Sequence, residues 1–193
     1  MDCPTLVVTR KVVPPAEQEG LLAAPALAWM PSAPVARWRA AIATAHGAPR
    51  DAGWYAAVRQ ADALRSACVR ALRDAGARLL LGTDTANPFV VPGVALHEEL
   101  RLLVEAGLTP FEVLRAGTAD AAEFLGILQD CGTIATGKRA DLLLIEVNPL
   151  ESVSLVLRPL AVIAGGVWLE PNGLLAELSE RIRAPSPATP PET

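Results

Sequence analysis

Histidine, lysine and aromatic residues are scarce in this sequence of 193 residues. Its two histidines are His46 and His97, its two lysines are Lys11 and Lys138, and aromatic residues make up 4% of the chain. A zinc site needs at least three protein ligands that converge on one point, and the sequence contains no His-x-His pair. The chain by itself therefore lacks the residue types of a complete histidine-based metal centre.

Clusters of positive charge and long apolar runs are also absent. The net charge is -4, and no lysine or arginine stripe is present, so nucleic acid is not an expected partner. No window approaches the roughly 20 apolar residues of a membrane span, so a membrane is not expected either. The first residues show no signal-peptide pattern. We expect a cytoplasmic protein with small-molecule or protein partners, although a signal peptide encoded upstream would leave no trace here.

Cysteine is too sparse for a disulfide framework. Cys3, Cys68 and Cys131 form an odd, scattered set without a Cys-x-x-Cys pair, which excludes the paired spacing of a small disulfide-rich domain. We expect three buried thiols.

The first half of the chain has the pattern of a β-α-β unit. Residues 5–9 form a short β-branched run, which predicts a buried strand, and an Ala/Pro-rich excursion follows. Asp51 is placed to cap a long helix that ends at Gly76. Residues 78–81 then predict a second buried strand, followed by Gly82, Thr83 and Asp84. A helix between two such strands is typical of a parallel sheet.

The second half alternates between helical and β-rich segments. Residues 94–106 predict a helix, Thr109 and Glu112 form a capping box around Pro110, and Thr118 is placed to cap a helix over 119–125. Short strands are predicted at 133–136, at 140–146 and in two runs within 160–169, and a helix at 173–183 before a disordered tail. The predicted divisions are 1–131, a β-rich module at 132–170, and 171–193.

Asp84 is the residue most suggestive of chemistry. A carboxylate at the C-terminal end of a parallel barrel strand, before a long irregular loop, lies where α/β barrels place their catalytic groups. The alternative is that Asp84 only caps the turn through its own side chain.

Four segments carry a resemblance to a known family: PTLVVTR, LLLGTDTANPFVVPG, LHEELRLLVEAGLTPFEVLRAGT and GTIATGKRADLLLIEVNPL. Together they resemble the amidohydrolase superfamily over residues 4–170, and are most similar to its imidazolonepropionase-like and prolidase-like members. The resemblance implies an α/β fold: the C-terminal part of a (β/α)8 barrel, with strands 7 and 8 and the closing helices. It also implies that 132–170 are the C-terminal strands of a small β-sandwich.

The resemblance further implies a hydrolase with one or two divalent metals, usually zinc, in which Asp84 matches the carboxylate of the eighth strand. In such sites the metal lowers the pKa of bound water and the carboxylate accepts its proton. Asp84 is thus the expected catalytic residue and metal ligand. The expected reaction is hydrolysis of a carbon-nitrogen bond in a small linear or cyclic amide or a dipeptide.

The sequence departs from the family in its metal ligands. The family has a His-x-His pair on the first strand, a carboxylated lysine or glutamate on the fourth, and histidines on the fifth and sixth, and none of these strands is present. We therefore expect the chain to be inactive alone and to bind no stoichiometric metal. The missing strands are expected upstream in a longer form of the protein or on another chain, with a complementing N-terminal chain or a homo-oligomer as the candidate partners. A degenerate, non-catalytic interaction module is the alternative.

Two further residues are candidates for substrate binding. His97 lies at the start of the helix after the strand-8 loop, near the substrate pocket in related sequences, but it also fits a helix-surface histidine. Asn87 lies in the loop after Asp84 and also fits ordinary turn chemistry before a proline. His46 is expected to face solvent at a helix end.

Residues 132–138 meet the GxxxxGK spacing of a phosphate-binding loop, which opens a third, nucleotide-binding hypothesis. The context is wrong, because Arg139 stands where Ser or Thr should follow Lys138 and a strand-like run follows instead of a helix. A hairpin turn is the better interpretation.

Overall fold

The computed structural model describes residues 1–43, 50–85, 87–157 and 159–183. Helices precede a small sheet along the chain, and a further helix follows it. The helices are α1 Leu6–Arg10, α2 Pro15–Leu22, α3 Ser32–Ala43, α4 Ala52–Asp74, α5 Val94–Glu105, α6 Pro110–Ala116, α7 Ala119–Phe124 and α8 Pro171–Arg183; the strands are β1 Leu142–Leu144, β2 Ala161–Ala164 and β3 Val167–Leu169. Short 3₁₀ helices cover Pro25–Trp29 and Val153–Leu157.

Of the predicted parallel strand pair, the structure contains a single isolated bridge, and residues 78–81 form no regular strand. Asp2 pairs with Leu79 in a parallel bridge: the Asp2 amide donates to the Arg78 carbonyl at 3.2 Å, and the Leu80 amide donates to the Asp2 carbonyl at 2.7 Å. The intervening helix α4 begins as predicted, because the Asp51 carboxylate accepts the Trp54 amide at 2.7 Å. Gly76, at φ 78°, follows its end.

The strand predicted at residues 5–9 is wrong, because these residues form helix α1. The paired segment lies earlier, at Asp2, and Thr5 turns the chain with a left-handed φ of 47°. Leu6 and Val7 are buried as the apolar run requires, but they pack from a helix against α4 and α5. Helices α4 and α5 cover the apolar side chains of α1. A short apolar run has the same pattern whether it forms a buried helix or a buried strand, so periodicity does not distinguish the two.

Helix α5 lies at the centre of the core. Leu103 is 0% exposed, and the buried apolar cluster draws on α1, α4, α5, α6 and the 3₁₀ helix at Val153–Leu157. Its members are Leu6, Val7, Val69, Leu79, Val90, Ala95, Leu100, Leu102, Leu103, Ala106, Leu108, Val113, Val153 and Val156.

Two arginines of α4 bind the end of α5. Arg70 donates to the Ala106 carbonyl at 3.1 Å, and Arg73 donates to the Gly107 carbonyl. These carbonyls have no intrahelical donor, so the arginines satisfy them and tie the two helices together.

The capping box of α6 is confirmed, whereas the cap predicted for α7 is wrong. Thr109 accepts the Glu112 amide at 3.2 Å, and Glu112 accepts the Thr109 amide at 2.7 Å. The Thr118 hydroxyl instead donates to the Leu114 carbonyl at 2.7 Å. In this orientation the Thr118 hydroxyl accepts no amide from the first turn of α7.

The β-rich module is a three-stranded antiparallel sheet in the order β1-β2-β3. The strand predicted at 133–136 is wrong, because this segment lies between two left-handed glycines, Gly132 and Gly137, both at φ 88°. Strands within 140–146 and 160–169 are confirmed, as is a helix over 173–183.

Both faces of the sheet are apolar. The cross-strand register places Leu142, Leu144, Ala161, Ile163 and Trp168 on one face and Leu143, Val162, Ala164, Val167 and Leu169 on the other. Leu143 is 53% exposed and Val167 is 60% exposed. A sheet patterned for burial on both sides is thus only partly covered.

The cysteine prediction is wrong for two residues: Cys3 and Cys68 are exposed, and Cys131 is half-buried. Within the described part of the chain, no helix has the length and apolarity to cross a membrane. His46 and the predicted tail from residue 184 lie outside the described residues.

Candidate active site

Asp84 is exposed and lies five residues after Leu79, the bridge partner of Asp2, beyond the C-terminal end of the bridged segment, which we call the strand end. Its backbone is left-handed, with φ 48°, a conformation that aspartate tolerates better than most residues. The side-chain amide of Asn87 donates to the Asp84 carbonyl at 3.0 Å, and the Asn87 backbone amide donates to the same oxygen at 3.4 Å. The structure therefore brings Asp84 and Asn87 together in one turn, with the turn chemistry expected of Asn87.

The loop after Asp84 is anchored in the core. Phe89, at φ 66°, is buried against Trp38 of α3, with ring centroids 5.3 Å apart. Val90 and Val91 are also buried. The loop thus leaves the strand end, exposes Asp84 and returns to the core before α5 begins.

Cys3 lies beside the same strand end. A Cβ atom added to Gly82 would stand 2.5 Å from the Cys3 sulfur, so the thiol packs directly on the glycine backbone two residues before Asp84. Partial burial raises the pKa of the Cys3 thiol, and the negative charges of Glu99, Asp2 and Asp84 raise it further. Burial and the charges of three carboxylates therefore both oppose ionisation of this thiol.

Glu99 is a buried carboxylate that sequence reasoning missed. It is 0% exposed and accepts the amides of Leu6 at 2.9 Å and Val7 at 2.7 Å. Burial raises the pKa of its carboxyl, while the two amide bonds oppose that rise. The sequence does contain an indication that Glu99 is buried. It lies four residues after Ala95 and four before Leu103, on the apolar face of α5.

His97 lies in the first turn of α5 and is half-buried. Its Nδ1 atom is buried without a hydrogen-bond partner among the described residues. Burial lowers the pKa of the imidazole, which favours its neutral form. Substrate contact by His97 or Asn87 stays a prediction.

A cavity of about 220 Å³ opens at the opposite end of the 78–81 segment. The Arg78 guanidinium donates two hydrogen bonds to the Glu123 carboxylate, one of them at 2.8 Å. Arg115 donates to the Asp120 carboxylate at 3.1 Å. These charges neutralise one another, and the N-terminal end of a barrel strand is the structural end.

Lys138 is engaged by the backbone. Its ammonium group donates to the carbonyls of Leu128 and Cys131, the latter at 3.5 Å, and the chain continues into β1 without opening a helix. The hairpin-turn interpretation of 132–138 fits this context, and a phosphate-binding loop does not.

The described residues do not fit a complete metal site. Among them, no group of three or more His, Cys, Asp and Glu side chains could hold a metal ion. Asp84 could supply one carboxylate, and a zinc site needs at least two more protein ligands.

Comparisons with a family profile and with curated proteins point to the same family. The sequence profile of the Amidohydrolase family matches residues 41–169. Ochratoxinase of Aspergillus niger is 39% identical over 90 residues, which cover 46% of this chain and 18% of that protein. Imidazolonepropionase of Agrobacterium fabrum is 40% identical over 91 residues, which cover 44% of this chain and 20% of that protein. The chain thus spans about a fifth of the length of these curated relatives.

Solved structures agree. Bottromycin amidohydrolase superposes with a TM-score of 0.74 at 31% identity, over 94% of this chain and 40% of that chain. A Xaa-Pro dipeptidase superposes with a TM-score of 0.52 at 26% identity, over 58% of this chain and 27% of that chain. These neighbours indicate a TIM-barrel-type fold of mixed helices and strands, in a family whose members generally depend on metal. With a family match that covers well over half of its length, the chain belongs to the amidohydrolase family.

Proposed function

We propose that this chain is the C-terminal part of a metal-dependent amidohydrolase and supplies its catalytic carboxylate, Asp84. The observation that carries the proposal is the position of Asp84: an exposed carboxylate at the C-terminal end of a segment in parallel pairing, in a chain that matches the Amidohydrolase family over 41–169. In this proposal, Asp2 marks strand 7 and residues 78–81 mark strand 8 of the barrel.

Asp84 is suited to proton transfer. A carboxylate that projects from a strand end can take a proton from an attacking water and return it to the leaving nitrogen, which contributes roughly 10²- to 10⁴-fold to a rate. The anchored loop at Phe89 holds it in place while its side chain remains exposed. Asn87 and His97 are the proposed substrate contacts from this chain.

We propose a small amide, a cyclic amide or a dipeptide as the substrate class. The names of the relatives support this range, since they include an imidazolonepropionase and a Xaa-Pro dipeptidase. Zinc is the proposed metal. Its remaining ligands would come from residues outside this sequence, either upstream in a longer chain or on a complementing polypeptide.

The three-stranded sheet supports the same architecture. One of its two apolar faces would pack against the other sheet of a small β-sandwich, supplied elsewhere. The same exposed faces favour the second candidate, a non-catalytic module that binds another protein.

A metal titration of the purified chain tests the split site. We expect less than one equivalent of tightly bound zinc, because one carboxylate cannot hold the ion. A full equivalent bound by the wild-type chain and lost in Asp84→Ala would contradict the proposal.

A chimera tests catalysis by Asp84. This chain would replace the matching 40% of bottromycin amidohydrolase, and the product would be assayed with zinc on N-acyl amino acids, cyclic amides and dipeptides. We expect Asp84→Asn to lower kcat by about 100-fold or more, with KM changed little. Asp51→Asn, which alters a helix cap far along the chain from the strand end, is the matched control. Equal kcat values for Asp84→Asn and the unsubstituted chimera would favour the binding module.

A further inference from the structure

The carboxylate of Glu99 binds a part of the chain that is distant in sequence. Its oxygens accept the amides of Leu6 and Val7, which lie 93 and 92 residues earlier. These are the first amides of α1, and first-turn amides have no intrahelical acceptor. The Thr5 side chain does not cap them, so Glu99 does so from α5.

The same segment continues to the strand end. Cys3 precedes Leu6 by three residues, and its sulfur packs on Gly82, where a Cβ would come within 2.5 Å. The residue before Cys3 is also held: the Asp2 amide donates to the Arg78 carbonyl, and the Leu80 amide donates to the Asp2 carbonyl. Residues 2–7 are therefore held at one end by strand pairing and at the other by Glu99.

We propose that Glu99 is a positioning residue: its buried carboxylate binds the amides of Leu6 and Val7 and thereby holds Cys3 against Gly82, at the strand end that carries Asp84. The importance of this link for catalysis rests on the function proposed above for Asp84. The link itself is geometric and can be measured in the chain without any hydrolytic activity.

An apolar side chain of similar size at position 99 would fill the same space but could not accept hydrogen bonds from the Leu6 and Val7 amides. It would leave two buried amides without an acceptor, and each unsatisfied group costs free energy. A carboxylate offers two oxygens in the fork that two successive amides need. The buried charge is costly to desolvate, and these two bonds offset part of that cost.

The Cys3 thiol reports on this arrangement. Glu99 is one of three carboxylates whose charge disfavours the Cys3 thiolate, with Asp2 and Asp84. The other charged groups nearby are paired on the neighbouring helices: Lys11 of α1 with Glu98 of α5 at 2.6 Å, and Arg10 of α1 with Asp62 of α4 at 3.7 Å. Removing the charge of Glu99 should therefore ease ionisation of Cys3 specifically.

The experiment is the pH-rate profile of iodoacetamide alkylation at Cys3, in a background carrying Cys68→Ala and Cys131→Ala. With Glu99→Gln, which keeps the shape and one acceptor oxygen, we expect the midpoint to move to lower pH. The rate at pH 8 should rise about two- to tenfold, with a similar high-pH plateau. With Glu99→Ala, both bonds are lost, and the plateau itself should rise as Cys3 leaves Gly82. Glu98→Gln is the matched control and should reproduce the unsubstituted profile.

Hydrogen exchange gives a second measurement that needs no variant. The Leu6 and Val7 amides should exchange at least about 100-fold more slowly than in an unstructured peptide, because Glu99 holds them. Rapid exchange of both amides, or alkylation profiles that are the same with and without the Glu99 carboxylate, would overturn the inference. Neither result tests the role of Asp84, which is tested separately by the kcat of the chimera.

Discussion

Glu99 makes the stability of the fold depend on pH in an unusual direction. Its carboxyl is buried, and its pKa in the folded chain is raised above the ordinary value of 4.5. The folded state therefore holds this proton to higher pH than the unfolded state. By linkage, the contribution of Glu99 is fully present below the ordinary value and is lost as pH rises through the raised one.

We predict that the difference in unfolding free energy between the unsubstituted chain and Glu99→Gln decreases as pH rises from the ordinary carboxyl pKa through the raised one. Urea unfolding at several pH values measures it. Glu112→Gln should give the opposite slope, because the Thr109 amide lowers the pKa of Glu112 and its contribution is lost as pH falls. Slopes of the same sign in the two variants would contradict this assignment.

At the residue scale, the sequence predicts the positions of Asp84 and Asn87, because strand-end and turn chemistry are local. It does not predict Glu99 as an anchor. The partners of that carboxylate are two backbone amides, which no residue type reveals, more than ninety residues away. A charged residue on an apolar helical face indicates burial with a partner, but it does not identify the partner.

At the scale of single elements, caps decide which predictions succeed. Helices α4 and α6 begin where Asp51 and Thr109 place them, because a cap satisfies amides within its own turn. Residues 5–9 were misassigned because an apolar run of this length fits either a buried strand or a buried helix. The Glu99 bonds and the packing on α4 and α5 favour the helix.

The capping box of α6 should contribute measurably to stability. We predict that Thr109→Ala lowers the unfolding free energy by about 1 kcal/mol, because the Glu112 amide loses its acceptor. The control is Thr133→Ala, at an exposed threonine outside any helix or strand, which should change it by less than about 0.5 kcal/mol. Chemical denaturation measures both.

At the scale of the whole molecule, the described residues leave many large apolar side chains exposed. The apolar sheet contributes to this surface through Leu143 and Val167.

We predict that the chain produced alone associates as its concentration rises, because exposed apolar sheet faces pair with one another. Leu143→Lys combined with Val167→Lys, on one face of the sheet, should lower the association. Thr136→Lys, at an exposed position outside the sheet, controls for added charge. Sedimentation velocity over a concentration series measures the effect, and equal association in all three proteins would contradict it.

The 92-residue separation between Val7 and Glu99 also has a consequence for the order of events during synthesis. During synthesis the amides of α1 are released before their acceptor, which emerges 92 residues later. Helices α5 and α6, which contact each other and are close in sequence, can form as soon as they are released. Residues 2–7 must wait for Glu99, so the end of the bridged segment that carries Asp84 is completed from its C-terminal side towards the residues made earlier.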